Sequence, residues 1–323
     1  MSSSRTRSVV SFGAYILDCL VAPVSRIPDG QGGELVDEIV LSPAGPAGGT
    51  ALVLAKLGMK VRSAGCVGTD ASGTLLMSLL EEAGADVANM RRIDGATTSA
   101  SVLPIRPDGS RPALHVIGAN TALKDAVPWD AIREADHLHL GGPEFLGPEE
   151  AARVLAFARA HGATTSVDSI AASSPEGFAL FADALPLVDY LLPNDEQALG
   201  WTGADSVAEA ARRLYARGAA AVIVTAGADP TMIVDARGER TAPVFDVDVV
   251  DTSGCGDSFS AGFLAAVLQH GASPDEAAVI GAATAAHVAS GLGTSYGRYT
   301  FASITDFAAS AARKKEAVAH GGS

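Results

Sequence analysis

Residues 137–142 read HLHLGG, residues 149–162 read EEAARVLAFARAHG, and residues 164–169 read TTSVDS. The first and third runs have the apolar and β-branched character of strands, and the middle run has the spacing of an amphipathic helix. The pattern continues with a helix at 206–218 and the strand AAVIVTAG at 220–227. Strands that alternate with helices form right-handed βαβ units. The sequence therefore predicts an α/β fold, a Rossmann-like, mostly parallel sheet flanked by helices.

Further elements extend this pattern toward both ends of the chain. Strands are predicted at 9–13, 61–68 and 190–194, and helices at 51–58, 70–84, 256–271 and 274–290. The extended segments 25–45 and 97–118 do not fit the alternation, and the second contains Asp108-Gly109, a strong hairpin signal. We expect a small antiparallel sheet from about 18–45 and 97–118, inserted in a single domain that spans residues 1–323.

The composition is that of an acidic globular chain. Its 323 residues include 23 Lys+Arg and 37 Asp+Glu, which gives a net charge of −14, and 48% of them are hydrophobic. This balance argues against broad binding to nucleic acid or to an anionic membrane. Cys19, Cys66 and Cys255 have no CxxC spacing, so neither a disulfide framework nor a zinc site is indicated. Because no apolar run reaches the length of a membrane span, we expect a cytoplasmic protein.

The segment VVDTSGCGDSFSAGFLAAVL, residues 249–268, carries the clearest chemistry. Gly254, Cys255 and Gly256 open a helix whose first turn holds Asp257. Backbone amides at a helix start stabilise negative charge. A carboxylate beside them can accept a proton from an attacking hydroxyl. The segment thus suggests transfer of an anionic group to an alcohol, although turn glycines beside an ordinary first-turn acid explain the spacing equally well.

This segment resembles the DTxGAGDxF signature of the ribokinase-like (PfkB) carbohydrate kinases. Other stretches resemble that family in the same order, from about residue 9 to residue 297. They are SFGAYILD (11–18), PAGPAGGTALVLAKLG (43–58), GCVGTDASG (65–73), RPDGSR (106–111), GAN (118–120), LLPND (191–195) and VTAGAD (224–229). The resemblance implies a Rossmann-like domain with a β-sheet lid that often mediates dimerisation. It also implies transfer of the γ-phosphoryl group of ATP, with Mg²⁺, to a hydroxyl of a small sugar or sugar-like alcohol.

The resemblance assigns roles to the matching residues. Asp257 would be the base, and the amides of Gly254, Cys255 and Gly256 would form the anion hole. The remaining assignments are Asp18, Gly45 and Gly49 for the substrate, Asn194, Thr225, Gly227 and Gly256 for the nucleotide, and Asp251 and Glu196 for metals. Asp251 and the loop 290–297 match the position of a monovalent cation such as K⁺. Glu196 stands one residue early for an acid that orders a Mg²⁺-bound water.

The chain departs from the family in its sugar-binding segments. Ala44-Gly45 replaces the first glycine pair, Gly49 replaces the sugar-binding Asn, and Ile16 replaces an Asn common before Asp18. Loss of hydrogen-bond partners penalises a sugar strongly, so we do not expect ribose to be the best substrate. A nucleoside (adenosine-type) kinase is an alternative, because purine-accepting members share these motifs. A catalytically silent nucleotide- or sugar-binding protein is a third reading.

Two smaller groups of residues remain. A phosphorylated substrate would need Arg or Lys side chains, and Arg106 and Arg111 on the lid are the candidates beside Arg26. His137 and His139 lie two apart on one strand, and we expect them to be structural because no third metal ligand has suitable spacing.

Overall fold

The computed structural model describes residues 6–107 and 109–314. Its strands are β1 (Ser8–Gly13), β2 (Ile16–Ala22), β3 (Glu38–Ala44), β4 (Lys60–Gly68), β5 (Asp86–Ile93), β6 (Ala100–Pro104), β7 (Leu114–Val116), β8 (His137–Gly141), β9 (Thr164–Asp168), β10 (Tyr190–Leu191), β11 (Ala221–Ala226), β12 (Asp229–Asp235) and β13 (Gly238–Ala242). Its α-helices are α1 (Gly48–Lys56), α2 (Ala71–Glu82), α3 (Trp129–Arg133), α4 (Pro148–Ala160), α5 (Pro175–Ala179), α6 (Asp195–Thr202), α7 (Val207–Ala216), α8 (Cys255–His270), α9 (Pro274–Ala289) and α10 (Phe301–Ser310). Short 3₁₀ segments lie at Gly118–Ala126, Pro143–Phe145 and Ala182–Leu187.

The central sheet has nine strands within the described residues, in the order β13-β12-β11-β10-β9-β8-β1-β4-β5. All neighbours from β11 to β5 pair in parallel, and β12 and β13 add an antiparallel edge. Every residue of β1 and of β8 is buried, as expected for strands covered on both faces. The predicted fold class is confirmed.

Helices cover both faces of this sheet. Helices α1, α2, α8, α9 and α10 contribute to one hydrophobic core, where Leu54 and Phe263 are fully buried. Helices α3 to α7 contribute to the other, where Leu155 and Trp201 are buried. Each such side chain stabilises the fold by roughly 1.5–3 kcal/mol. The two cores hold the carboxyl ends of β8, β9 and β11 at one edge of the sheet, where ligands of α/β proteins bind.

A second sheet has four strands within the described residues, in the order β3-β2-β6-β7. The hairpin of β6 and β7 is antiparallel, as the Asp-Gly signal predicts, although Asp108 itself lies outside the described residues. Strand β2 pairs in parallel with β6, so the predicted antiparallel sheet is in fact mixed. The parallel pair arises because β2 and β6 each enter this sheet from the central one.

The segment SFGAYILD is not one strand, as the resemblance implied. Strand β1 ends at Gly13, and Asp18 lies on β2 of the second sheet. Gly13 has a φ of 146°, and a Cβ there would lie 1.7 Å from the carbonyl oxygen of Gly141. Only glycine lets the chain leave the central sheet at this point.

Other boundaries also differ from the sequence prediction. The strand predicted at 190–194 stops at Leu191, because Asn194 caps α6 with a reciprocal capping box. Strands β12 and β13 and helix α10 were not among the predicted elements. No helix of the described residues is long and apolar enough to cross a membrane.

Candidate active site

Two adjoining cavities open where the N-terminus of α8 meets the ends of the parallel strands. The polar cavity, of about 230 Å³, is lined by Asp168, Asn194 and Asp257 among others. The apolar cavity, of about 270 Å³, lies between α8, α9 and the turn after β11. The two share the lining residues Thr225, Thr252, Gly256 and Phe259. A ligand that extends through both would pass the first turn of α8.

The first turn of α8 is built from the predicted glycine motif. Gly254 caps the helix with a φ of 73°, and a Cβ on it would lie 2.0 Å from Thr294 Oγ1. Gly256 lines both cavities, and a Cβ on it would meet no atom within 4 Å. The amide of Cys255 already donates to the carbonyl of Thr252 at 3.3 Å. The amide of Cys255 is thus engaged within the turn, whereas contact of the amides of Gly254 and Gly256 with an anion stays a prediction.

Asp257 is half-buried in this turn and lies in a strongly acidic setting. Its pKa is raised well above the usual range, first by burial and then by the carboxylates of Asp168 and Asp18. The guanidinium of Arg111 opposes these effects. A raised pKa makes this carboxylate a stronger proton acceptor, which suits a general base.

Asp18 reaches the site from the second sheet. It is 9% exposed, and burial raises its pKa to about 6, while a hydrogen bond with Ser101 works in the opposite direction. Its charge helps to raise the pKa of Asp257, so the two carboxylates lie within electrostatic range, although Asp18 is not among the residues that line either cavity. The sequence-predicted pair of Asp18 and Asp257 is thus brought together.

The two glycines predicted to bind substrate act through their lack of a side chain. A Cβ on Gly49 would lie 2.0 Å from Oδ2 of Asp257, so only a glycine leaves the carboxylate its space. Gly45 has a φ of 85°, and a Cβ there would lie 2.8 Å from the carbonyl oxygen of Ala14. Gly45 therefore shapes the turn between β3 and α1. Contact of either glycine with a substrate stays a prediction.

Asp168 is a site residue that sequence reasoning did not select. It ends β9, lines the polar cavity and accepts a hydrogen bond from Ser260 Oγ at 3.1 Å. Burial raises its pKa to about 7, and Glu144 adds to that effect. Ser169 donates through its hydroxyl to Glu144 at 2.8 Å. The available signal was an acid at the end of a parallel strand, which is weak without the fold.

Asn194 and Glu196 differ in their position relative to the cavities. Asn194 lines the polar cavity while its side chain accepts from the backbone amide of Gln197 at 2.8 Å. Glu196 is exposed and is not among the residues that line either cavity, whereas Gln197 lines the polar one. The role of Glu196 toward Mg²⁺ stays a prediction.

The predicted nucleotide turn follows β11. Thr225 lines both cavities, and its amide donates to the carbonyl of Pro193 at 3.1 Å. Gly227, with a φ of 56°, lines the apolar cavity. Phe245 and the small residues Ala282 and Ala286 form much of the remaining wall. Such a slot suits a flat, largely apolar ring.

Arg111 brings positive charge into the polar cavity from the loop between β6 and β7. Its Nε donates to Thr252 Oγ1 at 2.9 Å, and it is the basic residue lining that cavity among those the structure describes. Arg106, which the sequence analysis also considered, does not line that cavity.

Asp251 is 1% exposed beneath the same turn. One carboxylate oxygen accepts from the amide and hydroxyl of Ser253 at 2.9 and 2.8 Å. The other accepts from the amide of Gly293 at 2.9 Å. Among residues 6–107 and 109–314, no group of three or more His, Cys, Asp or Glu could hold a metal ion. Monovalent-cation binding by Asp251 therefore stays a prediction.

The first turn of α8, the carboxylate of Asp257 and the two adjoining cavities can be compared with known proteins. The sequence pattern of the pfkB family carbohydrate kinases matches residues 6–300. The chain belongs to that family. It is accordingly a phosphotransferase of the carbohydrate-kinase type, and the predicted ribokinase-like resemblance is confirmed.

Individual pfkB relatives are similar over most of their length. An ATP-dependent ribose-1-phosphate kinase of Halopiger xanaduensis is 32% identical over 256 residues, covering 77% of this chain and 81% of the relative. A cytidine kinase of Thermococcus kodakarensis is 28% identical over 262 residues, covering 80% and 87%. A protein of E. coli described as a ribokinase II, in complex with ATP and Mg²⁺, shares the fold with a TM-score of 0.80, 19% identity, and coverage of 94% and 99%.

Proposed function

We propose that this protein transfers the γ-phosphoryl group of ATP to a hydroxyl of a small sugar or sugar-like alcohol. The observation that carries the proposal is Asp257, a carboxylate of raised pKa in the first turn of α8, where a polar and an apolar cavity meet. The substrate hydroxyl would lie in the polar cavity. The nucleotide base would lie in the apolar cavity, with its phosphates directed toward Gly256.

The reaction follows from this arrangement. Asp257 accepts the proton of the substrate hydroxyl while the oxygen of that hydroxyl forms a bond to the γ-phosphorus of ATP. The bond between the γ-phosphorus and ADP breaks at the same time. The backbone at the start of α8 stabilises the charge that develops on the transferred group. Arg111, which lines the same cavity, adds positive charge where the phosphoryl group would pass.

Mg²⁺ is proposed as the metal that accompanies ATP. Mg²⁺ binds one or two carboxylates together with substrate phosphates and keeps several waters, so it needs no cluster of three acids. Asp168 lines the polar cavity beside Asn194 and fits this requirement better than the exposed Glu196. When bound, the metal would neutralise charge on the phosphates.

A nucleoside acceptor is the alternative to a sugar, and it has less support than the sugar. The cytidine kinase relative shows that such an activity exists among similar proteins. An acceptor nucleoside would need an apolar slot of its own, yet the polar cavity beside Asp257 is lined by Arg111, Asp168, Asn194 and other polar residues. A sugar with exposed hydroxyls fits that lining better. Ribose itself is not the favoured sugar, because Gly49 lacks the amide side chain of the resembling family.

A sugar phosphate is a second candidate acceptor, favoured by Arg111. Arg111 lines the polar cavity, which also contains Asp257. An arginine that donates two hydrogen bonds is well suited to binding phosphate. The ribose-1-phosphate kinase relative acts on a substrate of this class by its name. Replacing Arg111 by Met distinguishes the two candidates, since it should raise KM for a sugar phosphate much more than KM for the corresponding free sugar.

We further propose that the second sheet is a lid and that its outer face joins two copies of the chain. Asp18 and Arg111 both reach the site from this sheet or its loop. The outer face carries Leu41, Val102 and Leu114 in one register row, with exposures of 43%, 45% and 69%. Lid-mediated dimerisation predicts that Val102→Lys gives a monomer in light scattering. A monomeric wild type would contradict it.

Because ATP is its proposed co-substrate, we place the protein in the cytoplasm.

The kinase proposal is tested by ADP release from MgATP across a panel of sugars, sugar phosphates, polyols and nucleosides. Asp257→Asn should lower kcat about 10²- to 10⁴-fold, because the proton acceptor is lost, while the Kd for ATP changes little. Asp205→Asn, at an exposed position before α7, is the matched control and should behave as wild type. Wild-type turnover by the Asp257 variant would refute the assignment. ATP binding without turnover of any acceptor would favour the silent binding protein.

A further inference from the structure

Lys56, the last residue of α1, is bound by a ring of backbone oxygens. Its Nζ donates to the carbonyls of Ser295, Tyr296 and Gly297 at 2.8, 3.2 and 2.8 Å. The same ammonium lies 4.5 Å from the ring centroid of Tyr299. Three carbonyl oxygens and an aromatic face form the kind of shell that binds a desolvated monovalent cation. Here the cation is covalently part of the chain.

The carbonyls belong to the loop 290–297, which supports the catalytic turn from behind. The amide of Gly293 donates to Asp251, and the side chain of Thr294 lies directly against Gly254, the cap of α8. The amide of Ser295 donates to Ser42 Oγ at 3.0 Å, which ties the loop to the second sheet as well. A displacement of this loop would therefore reach the turn that carries Asp257.

Helix α1 connects the same two places from the other side. Gly49 in its first turn faces the carboxylate of Asp257, and Lys56 in its last turn holds the loop 290–297. The helix is buried along most of its length, from Gly48 to Leu54. Helix α1 thus contacts both Asp257 and the loop 290–297, and it holds the two in a fixed relative position.

The position that the resemblance assigns to K⁺ does not fit a free cation well. Both carboxylate oxygens of Asp251 already accept hydrogen bonds, from Ser253 and Gly293. Three carbonyls at the end of the loop are engaged by Lys56. The oxygens that would strip water from K⁺ are in large part satisfied within the chain.

We propose that the ammonium of Lys56 is a built-in monovalent cation, which holds the loop 290–297 beneath the anion-binding turn and makes the enzyme independent of added K⁺. Lys56 is a positioning residue in this scheme, because it touches neither cavity. The inference rests on the proposed kinase function for its activity readout, but cation binding can be measured without any substrate.

The experiment replaces Lys56 by Met, which keeps the length of the side chain and removes the charge. Lys60→Met, at an exposed position on β4, is the matched control. Activity is measured at pH 7, where a Lys56 pKa of about 8 leaves the side chain an ammonium. The salt is tetramethylammonium chloride, replaced at constant ionic strength by KCl or NH₄Cl. Thermal unfolding is followed in the same salts without substrate.

Wild type and Lys60→Met should show equal kcat in all three salts. Lys56→Met should lose kcat about 10- to 100-fold in tetramethylammonium chloride and recover most of it in KCl or NH₄Cl. Its unfolding temperature should rise with K⁺ or NH₄⁺ by several degrees more than that of wild type, because a cation that binds only the folded state stabilises it.

Several results would overturn the proposal. One is a wild type activated more than about fivefold by K⁺. Another is a folded Lys56→Met variant whose kcat and unfolding temperature are the same in tetramethylammonium chloride, KCl and NH₄Cl. If Lys56→Met fails to fold, Lys56→Gln is used in the same salts, and the wild-type result decides independently of either variant. The thermal shift needs no turnover. A protein without kinase activity would therefore fail the ADP-release test, while its cation-dependent unfolding temperature could still be measured.

Discussion

Substitution of Gly49 by Ala perturbs the base without touching its chemistry. An added Cβ would lie 2.0 Å from Oδ2, 2.6 Å from Cγ and 2.8 Å from Cβ of Asp257. Carbon and oxygen atoms not bonded to each other rest about 3.5 Å apart, so the carboxylate must move by about 1.5 Å. Rotation of the side chain can relieve the contacts with Oδ2 and Cγ but not the one with Cβ, so α1 and the first turn of α8 must also separate by about 0.7 Å. The expected response is rotation of the carboxylate away from the substrate hydroxyl.

The two consequences of this substitution have different magnitudes. A misplacement of about 1 Å at a reacting group can cost about 10²-fold in rate, so kcat should fall by about that factor. Stability should also fall, because overpacking between two helices costs about 1–3 kcal/mol, of which replacing Gly by Ala within a helix offsets up to about 1 kcal/mol. The free energy of unfolding should fall by no more than about 2 kcal/mol.

The assay measures kcat, both KM values and urea unfolding for Gly49→Ala beside Gly33→Ala. A Cβ on Gly33 would meet no atom within 4 Å, so that variant should match wild type throughout. A Gly49→Ala enzyme with wild-type kcat would refute the reasoning, since the carboxylate would then work from a displaced position. Loss of kcat together with a loss of stability much greater than about 2 kcal/mol would instead show that the site is disrupted as a whole, and the argument from a displaced carboxylate would fail.

Two further predictions concern protonation. Replacing Asp168 by Asn should move the acidic limb of kcat/KM to lower pH, because it removes the carboxylate whose charge contributes most, after burial, to the raised pKa of Asp257; an unmoved limb in a pH–rate series would exclude this coupling. Burial lowers the pKa of His137 to about 3 and of His139 to about 4, so only the unfolded chain binds these protons as pH falls below 6.5. Urea titrations should therefore show that moving from pH 7 to pH 5 costs up to about 2 kcal/mol per histidine, and His139→Gln should remove about half of the loss.

The fold could be predicted largely from local patterns. The run AAVIVT (220–225) predicted a parallel strand, because burial on both faces leaves a continuous apolar signal, and the strands at 137–142 and 164–169 were predicted from their alternation with a helix. The Asp-Gly turn located the β6–β7 hairpin. The parallel pairing of β2 with β6 was missed, because it joins segments about 80 residues apart and no local signal encodes it. The boundary at Asn194 was also missed, since a capping residue ended the strand early.

The parts of the candidate site that were predicted are those formed by residues adjacent in the sequence. The motif around Asp257 and the turn with Thr225 are short, and their residues line the same cavities. Asp168 acquires its importance only from the fold, which sets β9 against α8 through Ser260. Lys56 looks from the sequence like a basic residue in the last turn of a helix. Its carbonyl shell lies some 240 residues away along the chain.

The charges of the site explain why the second sheet belongs to the proposed reaction. Asp18 and Asp168 both raise the pKa of Asp257, and an acidic turn of this kind repels the phosphates of an incoming nucleotide. Arg111 opposes that repulsion, yet it sits on a loop of the second sheet and is exposed. Its contact with Thr252 therefore places positive charge over the cavity only when that sheet lies against the central one. The sheet that carries Asp18, the proposed substrate-binding carboxylate, thus also carries the compensating charge, so we expect binding of either ligand to favour the arrangement in which Asp257 faces both.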